Sequence, residues 1–455
     1  MQIINPATEE IIDSLEMDVQ ESLMAKLETL KEGQRSWSNQ PLAHRLKCIT
    51  RFGELVQENT AELAAIMTAE TGKPIQQSIN EIQGAQNRID HLNKYAEQYL
   101  ADEVLSEQAP IDEKITYEPL GVIVNISAWN FPYNVGYNIF LYALVAGNAV
   151  LYKPSEYASL TGKQFEKYLW LAGIPKNVFQ CVIGAKEVGQ CLLSLDVQGY
   201  FFTGSYATGR EIAKTVAHKL LPVQLELGGK DPLYVMDDIQ DIKLNAINAA
   251  EGAFYNNGQS CCAVERIYVA ANIYDSFVEA FVNEVKTYEI GDPTNMNTFI
   301  GPLTRKQQLK VLDTQVQDAI SKGAELKCGG KMLDGDGYFY EPTVLVNTNH
   351  AMKIMQEESF GPIVGIQKVA NDEEAIELML DTEYGLTAAV FSNSYDRAAE
   401  VLKKMNTGTV YWNCCDRVSP ELPWSGRKNS GFGSTLSSQG IRAFVQPKAH
   451  HMKKA

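Results

Sequence analysis

From Lys114 onward the chain repeats one pattern: a short apolar run, a stretch long enough for a helix, then another apolar run. VIVNIS, AVLYK, VFQCVI, GYFFTG and PVQLEL carry the first round; PLYVM, RIYVA, GIQKV, AAVFS and GTVYWN carry a second after Glu226. Strands buried on both faces read as continuous apolar runs, and a helix between two of them supplies the crossover that parallel pairing requires. The alternation therefore predicts two α/β units in one chain. Residues from about 18 to 100 read as helical instead, with apolar positions three and four apart and Pro41 and Pro74 as breaks. The stretch 101–118 and the terminal AFVQPKAHHMKKA are short, β-prone and foreign to either unit, which points to a small joint sheet at a subunit interface.

With 455 residues, 45% of them hydrophobic, the chain exceeds what one compact core accommodates. No repeat, low-complexity stretch or tether-like linker separates the units, so they are expected to interleave. The formal net charge of −16, from 40 Lys and Arg against 56 Asp and Glu, argues against a nucleic-acid partner, because a phosphate backbone needs a basic face. The opening MQIINPATEEIIDSLEMD lacks a basic start followed by an apolar core, and no segment approaches eighteen uninterrupted apolar residues. The expectation is a cytoplasmic protein with no membrane partner. Eight cysteines without a CxxC pair and six histidines without ligand spacing predict reduced thiols and no metal.

Chemistry enters with Cys261 in FYNNGQSCCA, which lies 35 positions after Glu226 in ELGGKDP. A cysteine thiolate is the strongest side-chain nucleophile near neutral pH, and a carboxylate can activate the water that later releases a covalently held product. The neighbouring Cys262 reads as structural, although an adjacent thiol can trap an oxidised Cys261. FTGSYATG brackets a helix start with Gly204 and Gly209; free N–H groups there suit a pyrophosphate, yet the same text alone reads equally as a plain strand-to-helix turn.

Taken together and in order, SAWNFP (127–132), LYKPSE (151–156), FFTGSYATG (201–209), ELGGKDP, NNGQSCCA, EESFGP (357–362) and GTVYWN (408–413) resemble the NAD(P)-dependent aldehyde dehydrogenase superfamily, over nearly the whole chain. The resemblance implies an α/β fold in which a Rossmann-like cofactor domain (1–100 and 119–226) interleaves with a second α/β catalytic domain (227–433). A small β bridging element (101–118 and 434–455) would build a homodimer or homotetramer. The implied activity is oxidation of a small aldehyde to the acid through a thiohemiacetal and a thioester on Cys261. Asn130 and the Cys261 N–H would hold the oxyanion, and Glu226 would activate the hydrolytic water. Relatives that pass the acyl group to coenzyme A generally lack a carboxylate at the Glu226 position, so the hydrolytic branch is favoured. A coenzyme A acylating enzyme, and a catalytically silent member of the fold, stay open beside it.

For the cofactor, the resemblance assigns Lys153 and Glu156 to the adenosine ribose, Gly204 and Ser205 to the phosphates, and Glu358 and Phe360 to the nicotinamide ribose and ring. Ser127, Trp129, Ser155, Leu227 and Gly228 complete that set. Glu156 accepts from ribose hydroxyls and repels a 2′-phosphate, so NAD is expected over NADP, with NADP use left open. Motif register places Phe131, Val135, Asn138, Tyr255, Val418 and Trp424, with Trp129, around the aldehyde. Arg417 reads either as an exposed loop residue or as an attractor for an ω-carboxylate such as that of succinate semialdehyde. One departure stands out: Ile139 and Thr435 occupy positions where many family members carry a lysine and a glutamate that pass a proton away from the base. Their joint replacement predicts that Glu226 exchanges protons through water.

Overall fold

A computed structural model describes residues 1–106 and 111–453; residues 107–110 and 454–455, parts of the expected bridging element, lie outside the described residues. The chain opens with an antiparallel hairpin, β1 (Gln2–Ile4) and β2 (Ile11–Ser14), followed by helices α1 (Gln20–Ser38), α2 (Leu42–Glu58), α3 (Thr60–Thr71) and α4 (Ile75–Tyr99). Then come β3 (Glu103–Ser106), β4 (Ile111–Pro119), β5 (Val122–Ile126), α5 (Pro132–Val145), β6 (Ala149–Lys153), α6 (Ser159–Leu171) and β7 (Phe179–Cys181). The first α/β round closes with α7 (Lys186–Ser194), β8 (Gly199–Thr203), α8 (Tyr206–Val216) and β9 (Val223–Glu226). The second comprises β10 (Asp231–Val235), α9 (Ile242–Phe254), β11 (Val264–Ala270), α10 (Tyr274–Val285), α11 (Lys306–Ser321), β12 (Glu325–Cys328), β13 (Thr343–Val346) and β14 (Ile363–Val369). It continues through α12 (Asp372–Leu380), β15 (Thr387–Phe391), α13 (Tyr395–Leu402) and β16 (Thr409–Trp412); β17 (Gly431–Phe432), α14 (Ser437–Arg442) and β18 (Val445–Lys453) end the described chain.

Each of the ten apolar runs yields a strand, and β5, β6, β8 and β9 pair in parallel. The first sheet has the order β17-β9-β8-β5-β6-β7, so the chain builds outward from β5 in one direction and then restarts on its other side. A doubly wound sheet of this kind opens a crevice beyond the carboxyl ends of its strands where the order reverses. The second sheet runs β12-β13-β14-β11-β10-β15-β16 and is parallel except for β12. Two of its members, β12 and β13, escape the sequence reading, as does the hairpin β1–β2. β12 is mostly exposed at an edge, and both hairpin strands are mostly solvated, so no apolar run marks these three. β17 joins the first sheet although residues 227–433 group with the second unit by sequence.

The helical N-terminal stretch breaks at Pro41 and Pro74 as expected, and again at Asn59. Two buried carboxylates bind this layer to the first sheet. Glu70 of α3 accepts from the Leu160 and Thr161 N–H groups at the start of α6, and Glu81 of α4 accepts from Tyr133 and Asn134 N–H at the start of α5. A carboxylate satisfies the free N–H groups of a helix start and sits at the positive end of its dipole. Glu81 is also paired with buried Lys73, whose ammonium lies 3.9 Å from the centre of the Phe131 ring. Residues 130–134 are therefore fixed from beneath. β18, β4 and β3 form a separate three-stranded antiparallel sheet.

Candidate active site

The carboxyl ends of β5, β6, β8 and β9 deliver Ser127–Phe131, Pro154–Glu156, Gly204–Ser205 and Leu227–Gly228 to one edge of the first sheet. Here lies a cavity of about 270 Å³ lined by Trp129, Asn130, Gly204, Ser205, Glu226, Leu227, Gly228, Cys261, Glu358 and Phe360. Ten expected residues thus meet at one place. Ser127, Lys153, Ser155 and Glu156 stand at the neighbouring strand ends, outside the lining; Ser127 N–H donates to the Lys153 carbonyl at 2.9 Å, and Ser155 Oγ donates to Glu156 at 3.3 Å. A second cavity, of about 410 Å³, contains Phe131, Val135, Asn138, Tyr255, Arg417, Val418 and Trp424, whereas Trp129, also expected around the aldehyde, lines the first cavity instead. Asn130 and Cys261 line both cavities. The thiol thus sits where the two spaces adjoin.

The loop bearing Cys261 is held by amide side chains. Asn256 and Asn257 adopt left-handed backbone, φ 54° and 58°, which asparagine tolerates better than most residues. Asn256 Nδ2 donates to the carbonyls of Asn130 and Gln259, at 2.9 and 3.1 Å, and Asn130 Nδ2 donates to Gln259 at 3.1 Å. One hydrogen of the Asn130 amide is thereby engaged with the nucleophile loop while the amide group faces the cavities. Asn130 precedes the helix α5 without capping it: the position before Pro132 is Phe131, and no side chain caps there. Cys262 turns away. Its thiol donates to Asp416 Oδ1 at 2.9 Å, where Ser260 Oγ also donates at 3.0 Å. The contact with Cys261, burial and the Asp416 charge all push the Cys262 pKa far up, so this thiol stays neutral.

Glu226 ends β9, is 6% exposed, and has one side-chain donor, Gln224 Nε2 at 3.3 Å. Burial drives its pKa well above the usual carboxylate range. Glu358, half-buried, is pushed up to about 8 by desolvation, with Gly229 N–H donating to it at 3.2 Å. Gly228 makes that approach feasible, since a Cβ there would fall 2.0 Å from Glu358 Oε1. The loop carrying Glu358 is tied down by Glu265, which accepts from Ser359 and Phe360 N–H and from buried Lys230 at 2.7 Å. Phe360 holds φ at 49°, and its ring meets Trp129 edge-on at 5.5 Å.

Sequence reasoning missed Arg305, Gln308 and Val311, which α11 and its leading residue contribute to the first cavity. Arg305 Nε is buried with no hydrogen-bond partner among the described residues. A cationic donor lining the same cavity as the Gly204–Ser205 turn, the start of α8 capped by Ser205 and the carboxylates Glu226 and Glu358 suit a dinucleotide with a pyrophosphate and ribose hydroxyls. Ile139 and Thr435 are fully buried; Ile139 packs in the same apolar cluster as Trp424 and Leu436. Arg417 is no deep ligand: its side chain is 68% exposed and lies 4.0 Å from Glu251.

Residues 1–450 match the aldehyde dehydrogenase family. The chain belongs to that family. Among its relatives is a succinate-semialdehyde dehydrogenase [NADP(+)] of Deinococcus radiodurans, 33% identical over 98% of this chain and 93% of that protein. A chloroplastic betaine aldehyde dehydrogenase of Amaranthus hypochondriacus is 32% identical over 98% of this chain and 91% of its own. The crystal structure of betaine aldehyde dehydrogenase from Staphylococcus aureus in complex with NAD+ superposes with a TM-score of 0.95 at 31% identity, covering 100% of this chain and 92% of that one. Among the described residues no helix of this aldehyde dehydrogenase is long and apolar enough to cross a membrane.

Proposed function

We propose that this aldehyde dehydrogenase oxidises a small aldehyde to the carboxylic acid with NAD(P) and releases the product by hydrolysis. The observation that carries this reading is the position of Cys261 and Asn130, shared by two cavities, one of which also holds Glu226 and Glu358. An aldehyde in the larger space presents its carbonyl carbon to Cys261 Sγ. As the C–S bond forms, the carbonyl oxygen gains charge, and Asn130 Nδ2 with the Cys261 N–H are the donors positioned for it. Such preorganised donors each contribute roughly 3 kcal/mol to transition-state stabilisation. When bound, the nicotinamide supplies the two-electron acceptor, taking a hydride from the former aldehyde carbon. Glu226 then takes a proton from a water molecule that attacks the thioester, and Cys261 leaves as thiolate.

Glu226 favours water over coenzyme A as acyl acceptor. Glu156, at the end of β6, favours NAD over NADP by repelling a 2′-phosphate. The relatives bracket the choice, one named for NADP(+) and one crystallised with NAD+. A cytoplasmic homo-oligomer, dimer or tetramer, joined through the three-stranded sheet completes the reading. The test follows reduced-cofactor absorbance over a panel of aldehydes with NAD and NADP separately. A rate with at least one pair, lost by ~10³-fold or more in Cys261→Ala, is expected. Absence of any rate, restored only by coenzyme A, would transfer the protein to the acylating branch.

A further inference from the structure

The aldehyde cavity contains a cation that nothing in the proposed chemistry uses. Arg88, on α4, lines the larger cavity together with Asn130 and Cys261, yet is only 4% exposed. Among the described residues it forms no ion pair, and its side-chain hydrogen bond runs from Nε to Asn138 Oδ1 at 2.9 Å. A guanidinium carries five N–H donors, and a single amide acceptor leaves most of them unengaged among the described residues, while the Glu81 carboxylate acts on its charge without forming an ion pair. Burial lowers its pKa to about 10, so it remains cationic at neutral pH.

The other charges at this cavity are already matched or engaged. Glu81 is paired with Lys73 and accepts two N–H groups of α5. Glu251 stands opposite Arg417 at the exposed side. Asp416 accepts from the Cys262 thiol and the Ser260 hydroxyl beneath the nucleophile loop. The Asn138 amide holds the Arg88 fork in place by accepting at Nε, leaving the terminal nitrogens for a planar anion. Paired N–H donors of this kind match a carboxylate bidentately, which a lysine in the same position would not.

We propose that Arg88 recognises a carboxylate at the far end of the substrate, so that the preferred aldehydes are ω-oxo acids. The assignment rests on the aldehyde-oxidising reading of Cys261 and moves the anion contact from the exposed Arg417 to a buried arginine behind Asn138. Substrate charge then neutralises Arg88 while the aldehyde end lies at Cys261. Neutral aldehydes of equal length leave the guanidinium unmatched and bind less well. Positively charged ω-amino aldehydes meet repulsion at the same point.

The experiment compares kcat/KM for unbranched ω-oxo acids of three to six carbons with their methyl esters and with ω-amino aldehydes of matching length. In the unaltered enzyme the best oxo acid should exceed its ester by about 100-fold, the discrimination expected of a charged hydrogen-bonded pair. Arg88→Met should collapse that acid-to-ester ratio to near one. Should Arg88→Met fail to fold, Asn138→Asp decides the matter: it keeps the size of the side chain, supplies Arg88 with an internal carboxylate, and should abolish the same preference. A ratio unchanged in either soluble variant, or an unaltered enzyme that prefers esters or amines, overturns the role of Arg88. If no aldehyde of any charge reduces the cofactor, the oxidation reading itself fails, and that result is distinct from a missing preference.

Discussion

Glu226 has two tasks that conflict, because a base must be ionised whereas burial favours the proton. Its pKa is raised well above the ordinary 4.5 by desolvation, with Gln224 only partly offsetting this. Hydrolysis of the thioester should therefore gain rate as pH rises and Glu226 deprotonates. Glu226→Gln is expected to produce a single burst of reduced cofactor, close to one equivalent per site, with little turnover after it at any pH. Steady turnover that keeps the original pH profile would remove Glu226 from the role of base. The same shift affects stability. Between the unfolded and folded pKa values the folded chain binds a proton that the unfolded chain has lost, so stability falls as pH rises through that window. The Gln variant should consequently gain in melting temperature over the parent as pH increases. At this scale the sequence was informative where a residue sits in a dense local motif, as Cys261, Asn130, Glu226 and Glu358 do. It was silent on Arg88 and Arg305, single cations on a helix and at a helix start, whose meaning appears only when chain segments far apart in sequence enclose a cavity.

The segment 358–360 shows how an element, rather than a residue, sets the cofactor side. It carries no regular structure; Glu265 of β11 fixes it by accepting from Ser359 and Phe360 N–H, and Lys230 neutralises Glu265 from beneath. Both members of this pair are buried, so removing one partner leaves an uncompensated charge. Glu265→Ala should cost about 3–5 kcal/mol in denaturant unfolding. It should also weaken NAD binding, read by quenching of intrinsic fluorescence, because Glu358 and Phe360 lose their anchor. Normal affinity in a destabilised variant would show that the loop is held by other contacts. Glu265 belongs to the run preceding RIYVA and gives no sign in sequence of this function: a charged residue at a strand start looks like any solvated end until the facing loop is known. Most strands buried on both faces were legible from their apolar runs, whereas β12, mostly exposed at the edge of its sheet, was not, and neither was β13, whose four buried residues TVLV make a run too short to stand apart.

At the scale of the whole molecule, the three-stranded sheet is the part least accounted for by a single chain. β18 pairs with β4 along nine positions, from Val445 opposite Pro119 to Lys453 opposite Ile111, yet of its own residues only Val445 is buried. Val104, Leu105 and Met452 lie exposed on the same sheet. β18 and β3 stand at the two ends of the described sheet, each pairing there with β4. Long open edges are templates for further pairing, and native proteins cover them or bury them against another chain. β-prone sequence at 101–118 and at the C-terminus revealed the strands, but pairing between segments more than three hundred residues apart cannot be read from either one alone. Truncation after Phe444 removes β18 and keeps the Phe444 carbonyl that accepts from Asn148 and from Leu120 N–H, so the first sheet retains its local bonds. Light scattering should then report an oligomer for the full chain and a monomer for the truncated one, with a thermal transition preserved in both. A full chain that is already monomeric, or a truncated one of unchanged subunit number, would place any contact between subunits elsewhere on the molecule and leave this sheet as a packing element of the single chain.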